Sequence, residues 1–182
     1  MSTLRVDNLN ARTGTTIAVP TGTKLYLPGH VVQTQSTTKT DTWSSTSTTF
    51  TQVSGLSVSI TPTSASSKIM ITGHMNCDGS STVTQVYFQL VRGTTAICIG
   101  DASGSRPRYT GRFYYQDNNV AGMCPFSFLD SPATTSSLTY SIYVATETAS
   151  GTAVVNRSIN DTDGAYNGGR TASTITVMEI AQ

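Results

Sequence analysis

Residues 83–91 read Val83-Thr84-Gln85-Val86-Tyr87-Phe88-Gln89-Leu90-Val91. In an extended chain successive side chains point to opposite faces, so Val86, Phe88 and Leu90 share one side while Gln85, Tyr87 and Gln89 share the other. One apolar face against one polar face is the pattern of an antiparallel strand that covers a core and meets water behind it. The alternation returns at Leu138, Tyr140, Ile142 and Val144. Working outward, strand-like runs occupy residues 30–35, 50–53, 56–61, 68–77, 95–99, 122–129, 152–156 and 174–180. They are separated by Thr61-Pro62-Thr63-Ser64, Asp78-Gly79-Ser80, Arg92-Gly93-Thr94, Asp130-Ser131-Pro132 and Ser150-Gly151. Pro, Gly, Asp and Ser turn a chain for reasons of fixed φ, free φ and side-chain-to-backbone bonding. About ten short strands at such spacing predict an all-β chain whose body is an antiparallel, jelly-roll-like β-sandwich over residues 30–182.

Composition agrees. The 182 residues include 33 threonines and 23 serines but 3 lysines and 2 glutamates. Thr packs well on a pleated sheet and loses rotamer freedom in a helix, whereas Lys and Glu are staples of exposed helix faces. A mostly helical protein is excluded on these grounds. The net charge of +1 provides no broad electrostatic footprint for nucleic acid or an anionic membrane. No apolar run approaches the roughly 20 residues of a membrane-spanning helix, and the first residues lack the pattern of a secretory leader. Nucleic acid and membrane insertion are therefore not expected as partners. Cys77, Cys98 and Cys124 are odd in number and form no Cys-x-x-Cys pair; buried free thiols, suited to assembly in a reducing cytoplasm, are the expectation.

Residues 1–29 have a different texture. Leu4, Val6 and Leu9, then Ile17 and Val19, then Leu25 and Leu27 recur between Thr-Gly, Pro-Thr-Gly and Pro-Gly turns. So short a segment cannot bury both of its faces alone, so these seven side chains are expected to contact sister chains or another body. The expectation is an extended N-terminal segment that trimerises and anchors, ahead of a separate head.

The chemistry of catalysis is sparse. His30 and His74 have no carboxylate nearby in sequence, and Glu147 and Glu179 read as solvated charges at strand ends. No nucleophile elbow, phosphate loop or dinucleotide fingerprint occurs. No enzyme, metal or cofactor is expected. Asn160-Asp161-Thr162-Asp163-Gly164 has alternating oxygen donors but lacks the closing acidic residue of a calcium loop, so a plain turn is expected. Asn156-Arg157-Ser158 fits the glycosylation acceptor pattern, which carries no meaning without a secretory route. Two longer loops interrupt the strands, residues 100–121 and 159–172. The first concentrates Arg106, Arg108, Tyr109, Arg112, Tyr114 and Asn118, large planar groups that dominate recognition surfaces. These six form the candidate receptor contact, with rings and amides suited to a glycan; equally, Phe113 and Tyr115 could face a core.

The opening STLRVDNLNARTG, the run TQVSGLSVSITPTSASSKIMI, then LVRG, GDASGSR, FSFLDSPATTSS, VNRS and the final STITVMEIAQ resemble small virion structural proteins of tailed phages, cyanophages among them. The resemblance covers most of the chain, most densely residues 33–75 and 122–182. It implies a homotrimeric fibre-like component of the virion, assembled in the host cytoplasm. A thin N-terminal foot would be held by other virion proteins of tail or capsid, and the sandwich head would point toward the host. The chain departs from many tail fibres in having no long shaft, which admits a head fibre or capsid decoration protein. A glycan-cleaving depolymerase would need two carboxylates across one cleft, and the sequence offers no such pair.

Overall fold

The computed structural model describes residues 27–80, 85–114, 119–164 and 168–182. Leu4, Val6, Leu9, Ile17, Val19 and Leu25 lie outside the described residues, as do Tyr115 and Asn118. Among the described residues the chain is all-β and holds no helix. Its strands are β1 (Val31–Lys39), β2 (Trp43–Ser45), β3 (Thr51–Ile60), β4 (Lys68–Gly79), β5 (Gln85–Arg92), β6 (Thr95–Ile97), β7 (Gly111–Tyr114), β8 (Gly122–Asp130), β9 (Leu138–Thr146), β10 (Ala153–Val155) and β11 (Ser173–Ile180).

Two antiparallel sheets result. The first runs β1-β11-β4-β10-β2, with β11 and β10 sharing one side of β4 and β8 taking the other. The second runs β3-β9-β5, with β6 and β7 sharing the free side of β5. Val86, Phe88 and Leu90 of β5 and Tyr140, Ile142 and Val144 of β9 are buried, as their alternation requires. They meet Ile69, Ile71, Phe126, Ile175 and Val177 of the first sheet in one core. Phe88 and Phe126 touch across it, ring centroids 6.1 Å apart and tilted by 52°, the offset geometry that aromatic quadrupoles prefer.

Three expectations need correction. Residues 50–53 and 56–61 are one strand, β3, whose pairing with β9 slips between Gln52 and Ser57. Gly55 takes φ +78° there, so Val53 and Leu56, three apart, both reach the core; the bulge makes up the odd residue. Two short strands lie outside the expected runs, β2 and, within residues 100–121, β7, where a core-facing Phe113 was the open alternative. And Glu179 is not a solvated edge charge: it sits on the inward side of β11 with no exposed surface.

Glu179 is satisfied from three directions. Its carboxylate accepts hydrogen bonds from Gln33 Nε2, the Thr63 amide and the Thr63 hydroxyl, all at 2.8 Å, and from the Ser67 hydroxyl. Burial pushes its pKa up, but the donors from Gln33, Ser67 and Thr63 outweigh this and hold it below the ordinary 4.5. A carboxyl whose folded pKa is depressed stabilises the fold fully above its unfolded value. That contribution is lost as pH falls through the lower folded value. Glu179→Gln, which sets an amide donor against donors, is therefore expected to cost about 1–3 kcal/mol at pH 7, and the gap to wild type is expected to shrink by pH 3. Urea unfolding at both pH values checks this; an unchanged gap would refute it.

A second polar cluster ties the sheets together. Each carboxylate oxygen of Asp130, at the end of β8, accepts from Arg92 Nη1 of β5 at 2.8 Å, and Oδ2 also accepts from the Tyr140 hydroxyl of β9 at 2.7 Å. Burial, then the Asp130 carboxylate, pushes the Tyr140 phenol far above its usual range. At the other end of the sheets, Asn156 is wholly buried at φ +64°. Its amide nitrogen donates to the carbonyls of Lys39 and Asp41 at 2.9 Å, and its oxygen accepts from Ser173 Oγ at 2.6 Å. An Asn so enclosed is a structural hub and no glycan acceptor.

Candidate binding surface

Register divides the body into two poles. Val31 pairs with Ile180, Ile180 with Lys68, and Ile69 with Asp130, so these residues share one end, where the Asp130–Arg92 bridge also lies. Here the chain enters: the Gly29 amide donates to the Ala181 carbonyl at 2.7 Å, and the Ala181 amide to the His30 carbonyl at 3.0 Å. Leu27, the last of the seven apolar anchor candidates, stands 52% exposed at this entry. Lys39 with Ser173 and Cys77 with Gly122 mark the far end.

The two loops expected to make contact are brought together at that far end. Asn160 Nδ2 donates to Asn119 Oδ1 at 3.0 Å across them. Beside this contact, Asp161, Thr162, Asp163, Gly164, Gly168 and Arg170 line a cavity of about 210 Å³. The Asp161 carboxylate is bound by Arg170 at 2.8 Å and faces Arg157 at 4.0 Å. The Asp161 carboxylate thus faces two guanidiniums, one in contact and one at the limit of an ion pair. Among the described residues no three His, Cys, Asp or Glu groups converge as metal ligands.

The arginine- and tyrosine-rich loop is only partly at the pole. Residues 98–110 leave the edge of the second sheet between β6 and β7 and fold back over its outer face. Arg106 and Arg108 fasten the loop to itself, through Ser103 Oγ and the Gly100 carbonyl at 2.6 Å each. Gln89 Nε2 holds the Arg108 carbonyl at 2.6 Å. Tyr109 stacks on Tyr87, centroids 4.8 Å apart and planes 24° from parallel. Phe113 is buried, filling the core alternative for this loop, while Arg112 and Tyr114 stay exposed on either side of it. Arg112 lies opposite Tyr87 in the pairing and bonds Gln85 Oε1.

These contacts assemble a face that the loop sequence alone did not reveal. Cross-strand rows place Gln52, Tyr143 and Gln89 in one line and Ala145, Tyr87 and Arg112 in the next. Four tyrosines, Tyr87, Tyr109, Tyr114 and Tyr143, thus stand on the outer side of one sheet among three glutamines. Flat rings beside planar amides give contact area and fixed hydrogen-bonding groups at small entropic cost. Partial burial first, and then the nearby charge of Glu147, push the Tyr87 phenol above its ordinary range.

The outer face of the first sheet is different. Its rows read Thr34-Met178-Met70-Leu129, Ser36-Thr176-Thr72-Ser127 and Thr38-Thr174-His74-Pro125. None of these twelve is Asp, Glu, Lys or Arg. His74 is fastened in its strand, its ring bonded to the Ala172 carbonyl at 3.2 Å and Thr174 Oγ1 at 3.3 Å. Comparison with protein-family models and with curated proteins finds no match for this chain.

Proposed function

We propose that this chain is a non-enzymatic structural protein of a tailed-phage virion. In this reading it is a short homotrimeric fibre, anchored through its N-terminal segment, with a jelly-roll-like β-sandwich head that meets the host surface. The observation that carries the reading is the polarity of the body. The chain enters beside its own C-terminus at one pole, and the paired loops of Asn119 and Asn160 occupy the other. An anchored particle component needs that separation, because a contact surface at the mounted end would be masked.

In this reading the trimer packs through the outer face of β1, β11, β4 and β8, whose three central rows carry no Asp, Glu, Lys or Arg, Lys68 standing at the edge of that face. Setting a charged face against its own copy costs charge desolvation and repulsion; rows of Thr, Ser, Met, Leu, His and Pro avoid the repulsion and leave only the smaller cost of desolvating hydroxyls and one imidazole. Copies arranged about a three-fold axis close on themselves and leave the tyrosine-bearing sheets outward. Three heads on one mount would raise avidity for a weak surface ligand, a glycan among the candidates, without adding contacts to any one head. The same charge-poor face favours a second reading, a capsid decoration or head-fibre protein that lays it on the shell. Many copies per particle in place of a few would select that reading.

Removing residues 1–26, which spares the bonds of Ala181 to Gly29 and His30, is expected to leave a folded head that no longer joins particles. Far-UV circular dichroism and the protein content of purified particles check the two halves of this expectation. Normal incorporation of the truncated chain would overturn the anchor. Sedimentation equilibrium of the full chain is expected to return three times 19.2 kDa; a monodisperse monomer at micromolar concentration would overturn the trimer.

A further inference from the structure

The second sheet ends at β7 and the first at β8, and between these two free edges the core opens to solvent. A cavity of about 410 Å³ lies there, lined among others by Phe88, Phe113, Tyr114, Met123, Cys124 and Pro125. Cys124 forms part of its floor. In the β4–β8 ladder Met75 faces Cys124 and Cys77 faces Gly122, so Cys77 and Cys124 are diagonal neighbours. Their sulfurs are 3.7 Å apart. Both are free thiols, Cys77 completely buried and Cys124 nearly so. Side-chain rotation must close about 1.7 Å to reach a disulfide bond length of about 2.05 Å.

We infer that Cys77 and Cys124 are an oxidisable dithiol, reached by small peroxides through the opening between β7 and β8, whose disulfide locks the edge strand β8 onto β4. This goes beyond the assembly reading and does not depend on it. Access and reactivity favour the same sulfur. A cavity of this size admits several water-sized molecules, and only Cys124 lines it. The two thiols share one hydrogen bond, which holds the Cys124 pKa below its ordinary value and, followed by burial, raises Cys77. The thiolate is the nucleophile, and since a peroxide in the cavity meets Cys124 while Cys77 is fully buried behind it, Cys124 is the attacking group and Cys77 the resolving one.

The steps balance with hydrogen peroxide as oxidant. The Cys124 thiolate attacks one peroxide oxygen; an S–O bond forms, the O–O bond breaks, and hydroxide leaves, taking up a proton as water. Cys77 sulfur then attacks the sulfenic sulfur of Cys124; the S–S bond forms, the S–OH bond breaks, and the Cys77 proton leaves with the hydroxyl as a second water. Two thiols lose two electrons and peroxide gains them.

The test treats the full chain with hydrogen peroxide and follows intact mass, peptide maps and far-UV circular dichroism. Expected are a loss of about 2 Da for two hydrogens, a Cys77–Cys124 linked peptide, and reversal by dithiothreitol. The oxidised form is expected to melt about 5–10 °C higher, since the closed loop is long. Cys98→Ser is expected to behave as wild type. Cys77→Ser is expected to stop at the sulfenic acid, trapped by dimedone on Cys124. A native spectrum with no Cys77–Cys124 link, a link through Cys98, no dimedone adduct on Cys124, or an unraised melting point would each overturn the inference.

Discussion

Gly73→Ala is expected to destabilise the protein by about 3 kcal/mol or more, near the top of the range for overpacking, and to lower Tm by about 10 °C. Gly73 lies inward at the centre of β4, between β11 and β8. A Cβ there would run into the Thr174 carbonyl oxygen, 2.6 Å from the Phe126 ring and 3.1 Å from Ile175 Cα. Backbone sits on one side and a packed aromatic on the other, so neither yields cheaply. The Phe126 ring occupies the space a side chain would fill, and that ring also meets Phe88 from the opposite sheet. The change therefore disturbs both the ladder and the junction of the sheets. Calorimetry of the variant checks it, with Gly100→Ala as a control, because nothing lies within 4 Å of a Cβ at Gly100.

Asp130→Ala is expected to cost about 3 kcal/mol, at the lower end for breaking a buried pair because the Arg92 side chain retains 28% exposure. The loss is large because two partners are orphaned together. The Arg92 guanidinium loses its carboxylate, and the buried Tyr140 hydroxyl, which would still need an acceptor, has none left in the cluster. Tyr140→Phe removes donor and demand at once and is expected to cost only about 1 kcal/mol. In the double variant the two costs are expected to fall short of their sum, as groups in one network do not add. Strict additivity in a urea-unfolding cycle would show that Asp130 does not join the two sheets as described.

The legible parts of this fold were those whose cause is local. Over Gln85–Leu90 of β5 apolar and polar residues alternate and burial alternates with them, and in β9 Tyr140, Ile142 and Val144 are buried as their spacing requires, although Ser141 and Ala145 between and beyond them are buried too. β7 was hidden because Phe113, Tyr114 and Tyr115 are adjacent, which blurs a period of two; only pairing with residues 85–88 shows that Phe113 points in and Tyr114 out. β2 has two serines in three residues and exists because β10 lies alongside it. Glu179 was misread for the same reason. Its donors come from residue 33 and from residues 63–67, over a hundred positions away, and no pattern around residue 179 announces them. The candidate surface divides likewise. Tyr109, Arg112 and Tyr114 stand out as a cluster of planar groups, but Gln85, Tyr87, Gln89 and Tyr143 join them only through register.

Entry of the chain beside its own end has a mechanical consequence. Hydrogen bonds between antiparallel strands run perpendicular to them, and β1 begins at the entry pole, paired with β11 along its length. Tension applied between the N-terminus and the distal loops runs along β1 and shears the whole ladder at once, so many bonds resist together. Tension applied between the two termini instead peels the same strands apart from one end, one bond at a time. The molecule is thus stiff along its long axis and weak to being unzipped from its base, an anisotropy that optical-trap pulling from the two pairs of points would measure directly.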